Sequence, residues 1–150
     1  MKKHIETCII GAEVQDVFNL VADIESYPEF LPWCEGARIT ETIPGSGKDY
    51  LTADLVVAFG SFREIFPSKI VVNKKDFNIE IFSSENPFKV LHGKWDFQKV
   101  KDGCQVGFEI KFEFKSIILE KLIGLFFFNA VKSIVKAFEE QCLKSEDLIS

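Results

Sequence analysis

The chain has 150 residues, 47% of them hydrophobic, and a formal net charge of −5. That length fits one domain, 1–150, with a sizeable core. The acidic balance argues against broad binding to a phosphate backbone, DNA included, because such binding needs a basic face.

Sixteen phenylalanines stand against one methionine. Phenyl rings are bulky and stiff, and they line apolar cavities as readily as they fill cores. The opening MKKHIETCII has too short an apolar run for a signal peptide, and it is not rich in Arg and Ser like an organelle transit peptide. The longest apolar stretch, Leu122 to Phe128, is far short of a bilayer span. These features predict a cytoplasmic protein, with at most peripheral contact at the inner face of the membrane. The cysteines, at 8, 34, 104 and 142, form no CxxC pair, and only His4 and His92 offer imidazole. Reduced thiols and no metal site are expected.

His4 to Ile10 alternates weakly and is rich in β-branched residues, which predicts a first strand. From Ala12 to Val21 the period changes. Val14, Val17, Phe18 and Val21 recur at helical spacing, with Glu13 and Asp16 in the first turn, where the helix dipole favours acids. Two prolines four apart, Pro28 and Pro32, then forbid a long helix. A short helical turn carrying Tyr27, Phe30, Leu31 and Trp33 forms an aromatic corner.

Six further strands follow. Ala37 to Ile43 is ended by Pro44-Gly45-Ser46-Gly47, a strong turn signal. Asp49 to Phe59 alternates, with Leu51, Ala53, Leu55, Val57 and Phe59 on one face. Phe62 to Val72 contains Pro67, which hints at a bulge or an edge position. Phe77 to Phe82 puts Phe77, Ile79 and Ile81 on one face, and Lys89 to Lys99 does the same with Leu91, Gly93, Trp95 and Phe97. After the hairpin turn Lys101-Asp102-Gly103, Cys104 to Phe114 alternates cleanly.

Ser116 is a good N-cap for the last element, which runs without proline to Leu143. Leu119, Leu122, Ile123, Phe126, Phe127, Ala130, Val131, Ile134, Ala137, Phe138 and Cys142 form one apolar stripe. Ile118, Leu125 and Phe128 lie off it, so the first half of this helix is apolar nearly all round. Such a surface is either buried on several sides or offered to a ligand, membrane or partner. A helix of about 27 residues spans roughly 40 Å, enough to cross the domain.

Short connections predict an antiparallel meander. Its apolar face needs a cover, and only the terminal helix is long enough. The expected fold is α+β: a curved antiparallel sheet of about seven strands wrapped round the C-terminal helix, with an elongated apolar cavity between them.

This order of elements resembles the helix-grip fold of the START and polyketide-cyclase superfamily. Three motifs resemble its coenzyme Q-binding, or RatA-like, subfamily: Tyr27-Pro28-Glu29-Phe30-Leu31-Pro32-Trp33-Cys34; Pro87-Phe88-Lys89-Val90-Leu91-His92-Gly93-Lys94-Trp95-Asp96-Phe97; and Phe112-Glu113-Phe114-Lys115. The first is the most specific. The resemblance covers nearly the whole chain. It implies either a ubiquinone-binding protein that supports respiration or a bacterial toxin that blocks association of ribosomal subunits. The lack of a transit peptide sides with the bacterial relatives.

The candidate cavity or gate residues are Tyr27, Phe30, Leu31 and Trp33 in the corner, and Phe59, Phe62 and Phe66 on the third and fourth strands. Leu91, Gly93, Trp95, Phe97, Phe108 and Phe112 follow on the sixth and seventh. Leu122, Phe126, Phe127 and Ala130 complete the set on the last helix. The corner reads equally as a cavity mouth or as a rigid packing unit. Gly93 reads either as room for a ligand tail or as a bulge at a sheet bend. Phe108 and Phe112 face the helix, with core packing the leading role. His92 reads as a solvated histidine beside Lys94 and Asp96, and Glu64 as an edge carboxylate. No Ser-His-Asp order, phosphate loop or carboxylate pair stands out, so no catalytic residue is assigned.

The expectation is a non-enzymatic binding protein for an apolar isoprenoid lipid, ubiquinone foremost, with no covalent cofactor. The alternative is a ribosome-directed protein whose partner is the large subunit.

Overall fold

The computed structural model describes residues 1–149, with side chains through Lys144. In chain order the elements are β1 (Lys2–Ile10), α1 (Val14–Ala22), a 3₁₀ turn (Ile24–Glu29), β2 (Cys34–Pro44), β3 (Lys48–Phe59), β4 (Phe62–Asn73), β5 (Asn78–Ser83), β6 (Phe88–Val100), β7 (Gly103–Phe114) and α2 (Ile117–Ile149). The strands make one antiparallel sheet in the order β1-β7-β6-β5-β4-β3-β2. Strands β2 to β7 are a meander, and β1 closes onto β7. The sheet curves round α2, so the expected α+β helix-grip architecture is the one present.

Strands β3 and β7 bury alternate apolar residues on the concave face of the sheet. On β7 the buried set is Cys104, Val106, Phe108, Ile110, Phe112 and Phe114. On β3 it is Ala53, Leu55, Val57 and Phe59. The buried stripe of α2 is Ile123, Phe127, Val131, Val135, Phe138 and Cys142. Phe127 is its aromatic hub, with ring centroids 4.8 Å from Phe112, 4.9 Å from Phe88, 5.8 Å from Phe59 and 5.9 Å from Phe114. Aromatic pairs of this kind add about 0.5–1.5 kcal/mol each beyond their buried area. Ser116 caps the helix as its hydroxyl predicts, with Oγ accepting from the Leu119 amide at 3.1 Å.

One local expectation changes, and two open alternatives are decided. Phe77 is not part of β5. It sits at φ +54° in the turn before the strand, where Asn73 Oδ1 accepts from the Asp76 amide at 3.0 Å, and its ring meets Phe18 edge-on. Pro67 makes no bulge. It pairs opposite Asp54, while β5 joins β4 only from Lys69, so Pro67 stands where the far side of β4 has no strand to bond. Gly93 makes no bulge either, because it pairs in register with Ile110.

Gly103 has a strict backbone reason. Its φ is +139°, and a Cβ there would lie 2.1 Å from the Ile10 carbonyl oxygen. The β6–β7 turn therefore presses against the end of β1.

Candidate functional site

The corner between α1 and β2 is fastened on three sides. The Tyr27 hydroxyl donates to the Val21 carbonyl at the end of α1. Glu25 Oε2 accepts from the Ile39 amide of β2 at 3.0 Å. The Ala58 amide of β3 donates to the Trp33 carbonyl at 2.9 Å. The Tyr27 and Phe30 rings lie edge-on to Phe138 of α2, at 5.3 and 5.0 Å, and Trp33 stacks on Phe59 at 6.1 Å. Proline-limited backbone thus delivers two rings to Phe138 of α2 and a third to Phe59 of β3.

Beneath this corner is a cavity of about 80 Å³. Its sheet wall comes from Leu55, Val57 and Phe59 of β3, Phe66 of β4, Ile81 of β5, Leu91, Gly93 and Trp95 of β6, and Phe108 and Ile110 of β7. Its helix wall is Phe127, Ala130, Val131, Ile134 and Phe138, and Tyr27 and Trp33 close the end. Two small residues explain why the grip does not shut. Gly93 puts no side chain on the wall, and the nearest atom to a Cβ built there is Ile110 Cγ1 at 3.9 Å. Across from the sheet, Ala130 presents only a methyl. Trp33, Ala130 and Ile134 are partly exposed where corner and helix meet.

Among the candidate residues, Tyr27, Trp33, Phe59, Phe66, Leu91, Gly93, Trp95, Phe108, Phe127 and Ala130 lie on this wall. Phe30 and Leu31 support the corner from behind, Leu31 fully buried. Phe62 is half-buried opposite Phe59 at the β3–β4 turn. Phe97 packs on Phe18 at 5.6 Å and on Trp95 at 6.1 Å. Phe112 is buried against Phe127.

Leu122 and Phe126, candidates for cavity or gate, are not on the cavity wall. They belong to the outer flank of α2, 62% and 50% exposed. A stripe drawn at three- and four-residue spacing is wider than the concave sheet can cover, so its margin stays in solvent. The wall residues Leu55, Val57, Ile81, Ile110, Val131, Ile134 and Phe138 were not among the candidates. Alternation placed several of them inward, but nothing in a strand pattern says which inward residue faces a void and which faces a neighbour.

The wall is chemically plain. Tyr27 carries its only hydroxyl, and that proton is committed to Val21. Burial pushes the phenol far above its ordinary titration range. Burial also pushes the Cys8 thiol up to about 11, with Glu139 and Glu6 adding to it. It pushes Cys34 up to about 11 as well. Both are unreactive as nucleophiles at neutral pH. His92 lies on the outer sheet face, 2.8 Å from Glu80 and stacked on Phe82 at 4.6 Å, rather than engaged with Lys94 or Asp96. Among the described residues, no group of three or more His, Cys, Asp or Glu could hold a metal ion.

The outside of α2 contrasts with its inside. Ile117, Ile118, Leu122, Leu125 and Phe126 form an exposed apolar face, Leu125 at 72%. Phe128 is covered instead, under Lys132 at 4.5 Å and Lys2 at 5.8 Å. No helix among the described residues is long and apolar enough to cross a membrane.

Residues 10–139 match the family described as polyketide cyclase / dehydrase and lipid transport. The chain is 33% identical over 138 residues to a protein of Rickettsia prowazekii named ribosome association toxin RatA, covering 90% of this chain and 92% of that one. It is 29% identical over 143 residues to coenzyme Q-binding protein COQ10 homolog B of Xenopus laevis, covering 93% of this chain and 57% of that one. Among solved structures, the 18 kDa protein CC1736 of Caulobacter crescentus superposes with a TM-score of 0.79 at 27% identity, over 98% of this chain and 99% of that one. An aromatase/cyclase from Streptomyces sp. R1128 superposes at 0.81, and at 14% identity that likeness shows the fold alone.

Proposed function

The chain belongs to the polyketide cyclase, dehydrase and lipid transport family, and from that premise we propose that it is a non-enzymatic carrier of an apolar isoprenoid lipid, ubiquinone foremost. The observation that carries this reading is the cavity between sheet and helix, walled by hydrocarbon with its one phenol already bonded. Such a wall supplies no acid or base to a reacting group. It does reward an apolar tail, at about 0.8 kcal/mol per buried methylene.

At about 80 Å³ the hollow is smaller than the roughly 300–1,000 Å³ of pockets that take drug-sized ligands. The tail therefore enters as α2 moves away from the Trp33 corner. The exposed face of Ile117, Ile118, Leu122, Leu125 and Phe126 adjoins that gate and docks on a lipid surface. Organic extraction of the purified protein with mass spectrometry, followed by titration with added quinone, tests the reading. Co-purified or titratable quinone supports it; a clean extract with no binding refutes it.

A second reading is favoured by the relative at 33% identity whose name is ribosome association toxin. On that reading the chain binds the large ribosomal subunit and opposes subunit joining. Sucrose-gradient profiles after overexpression separate the two. Accumulated free subunits support the ribosomal role, and unchanged profiles count against it.

A further inference from the structure

The exposed apolar face of α2 has two unlike flanks. On the gate side the Phe126 ring lies against the β3–β4 turn, where a Cβ on Gly60 would stand 3.3 Å from it. The cation beside that turn, Arg63, is held by Glu35 at 2.8 Å. The opposite flank is basic. Lys121, Leu125, Phe128 and Lys132 follow at four-, three- and four-residue steps, so they form one ridge. Lys132 lies over the Phe128 ring at 4.5 Å, and Lys2 of β1 lies over it at 5.8 Å. Between this ridge and the start of β1 is an open crevice of about 460 Å³, lined by Lys2, Lys3, Glu120, Gly124, Leu125 and Phe128.

Four lysines thus meet at one margin of an apolar face, in a chain whose net charge is −5. Lys2 pairs with Glu120 at 3.6 Å and Lys3 with Glu109 at 3.5 Å. These side chains are about half exposed, and pairs of that kind are weak enough to give way to another anion. Lys121 and Lys132 make no ion pair among the described residues. Four lysines against Glu120 and Glu109 leave a surplus of two positive charges beside Leu125. Glu113, further along the sheet edge, is shared by Lys89 and the Met1 amine. The next acids on α2, Glu139 and Glu140, lie about two turns beyond Lys132.

We propose that this basic margin binds the phosphates of anionic phospholipids, so that α2 docks on an acidic membrane surface in preference to a neutral one. Ile118, Leu122 and Leu125 enter the acyl boundary, while the ammonium groups of Lys2, Lys3, Lys121 and Lys132 stay at head-group level on their flexible stems. Because the charge is on one flank only, it also sets the orientation. The lysine flank faces the head groups, and the Phe126 flank, next to the Trp33–Phe59 stack of the gate, faces the acyl chains. RNA fits this margin less well. Leucines stand among the lysines, and a surplus of two charges is small beside the many contacts that phosphate-backbone binding uses. The proposal rests on the lipid-docking part of the carrier reading and adds the charge class of the membrane.

The test is vesicle flotation of the full chain on phosphatidylcholine alone and on a mixture in which one lipid in three is phosphatidylglycerol. It uses the wild type, a Lys121→Glu, Lys132→Glu double variant, and a Lys99→Glu, Lys101→Glu double variant with the same net charge. Lys99 and Lys101 lie at the β6–β7 turn, at the far end of β1 from Lys2. The wild type should bind the mixed vesicles tighter by at least about fivefold, the effect of one engaged lysine. That preference should vanish near 1 M salt, where the screening length falls to about 3 Å. The Lys121, Lys132 variant should lose the preference, keep its affinity for neutral vesicles and melt as the wild type does. The Lys99, Lys101 variant should retain the preference. Equal wild-type binding to both vesicles, or an equal loss in both variants, would overturn the basic margin and leave the apolar face as the docking surface. So would unchanged vesicle binding by the Lys121, Lys132 variant with weaker binding to purified large ribosomal subunits, which would give these lysines to RNA. Binding to neither vesicle would overturn the docking face itself, while the carrier reading stands or falls separately on the quinone titration.

Discussion

The Tyr27 phenol donates its proton to the Val21 carbonyl six residues upstream, joining the aromatic corner to the end of α1. The bond lies in the core and offers the ring edge-on to Phe138. It decides where the corner end of the cavity stands.

Tyr27→Phe should therefore destabilise the fold. The ring and its packing stay, but the buried Val21 carbonyl loses its donor, which costs about 1–3 kcal/mol. Urea denaturation at neutral pH measures the loss, and an unchanged midpoint would show that another donor reaches Val21.

Gly93→Val should close the hollow without harming the fold. A Cβ at this position meets Ile110 at an ordinary 3.9 Å, and valine suits a strand better than glycine. Quinone affinity should fall by at least about tenfold, or 1.4 kcal/mol, while the melting point holds or rises. Isothermal titration and thermal melts report the two quantities separately.

Leu125→Glu should abolish attachment to lipid vesicles and spare the core. This side chain is 72% exposed, so the change should move stability by no more than about 0.5 kcal/mol. Removing one inserted leucine forfeits about 1.5–3 kcal/mol of apolar burial. Vesicle co-sedimentation should drop accordingly, and undiminished sedimentation would remove this face from the docking surface.

Stability should decline from about pH 9 upward. Burial raises the Cys8 and Cys34 thiols to about 11 in the folded chain, above the ordinary thiol value of about 8.5. Between those values the unfolded chain has lost protons that the folded chain keeps, so raising the pH favours unfolding. The stability is fully present below the unfolded value and is lost as pH climbs through about 11. Denaturation midpoints taken across that window check the sign, and alkylation at pH 8 should be slow until the protein unfolds.

Gly103→Ala should be among the most damaging single-methyl changes. The residue sits at φ +139°, and the added Cβ would collide with the Ile10 carbonyl 2.1 Å away. Backbone strain alone costs about 1–3 kcal/mol, and the collision adds to it. Thermal melting measures the total.

Much of this molecule follows from its residues taken in order. Period-two alternation in Leu51 to Phe59 and Cys104 to Phe114 fixed which side chains turn inward, because a strand has only two faces. The prolines at 28 and 32 fixed the corner, and the Ser116 hydroxyl fixed the start of α2, since both act on their own backbone. The limits of the stripe were beyond reach of sequence. Leu122 and Phe126 have the same apolar character and helical spacing as Ile123 and Phe127, and only the curvature of the sheet decides which pair it covers. The hollow was likewise a tertiary outcome. It exists because Gly93 and Ala130, 37 positions apart in sequence, both line one space.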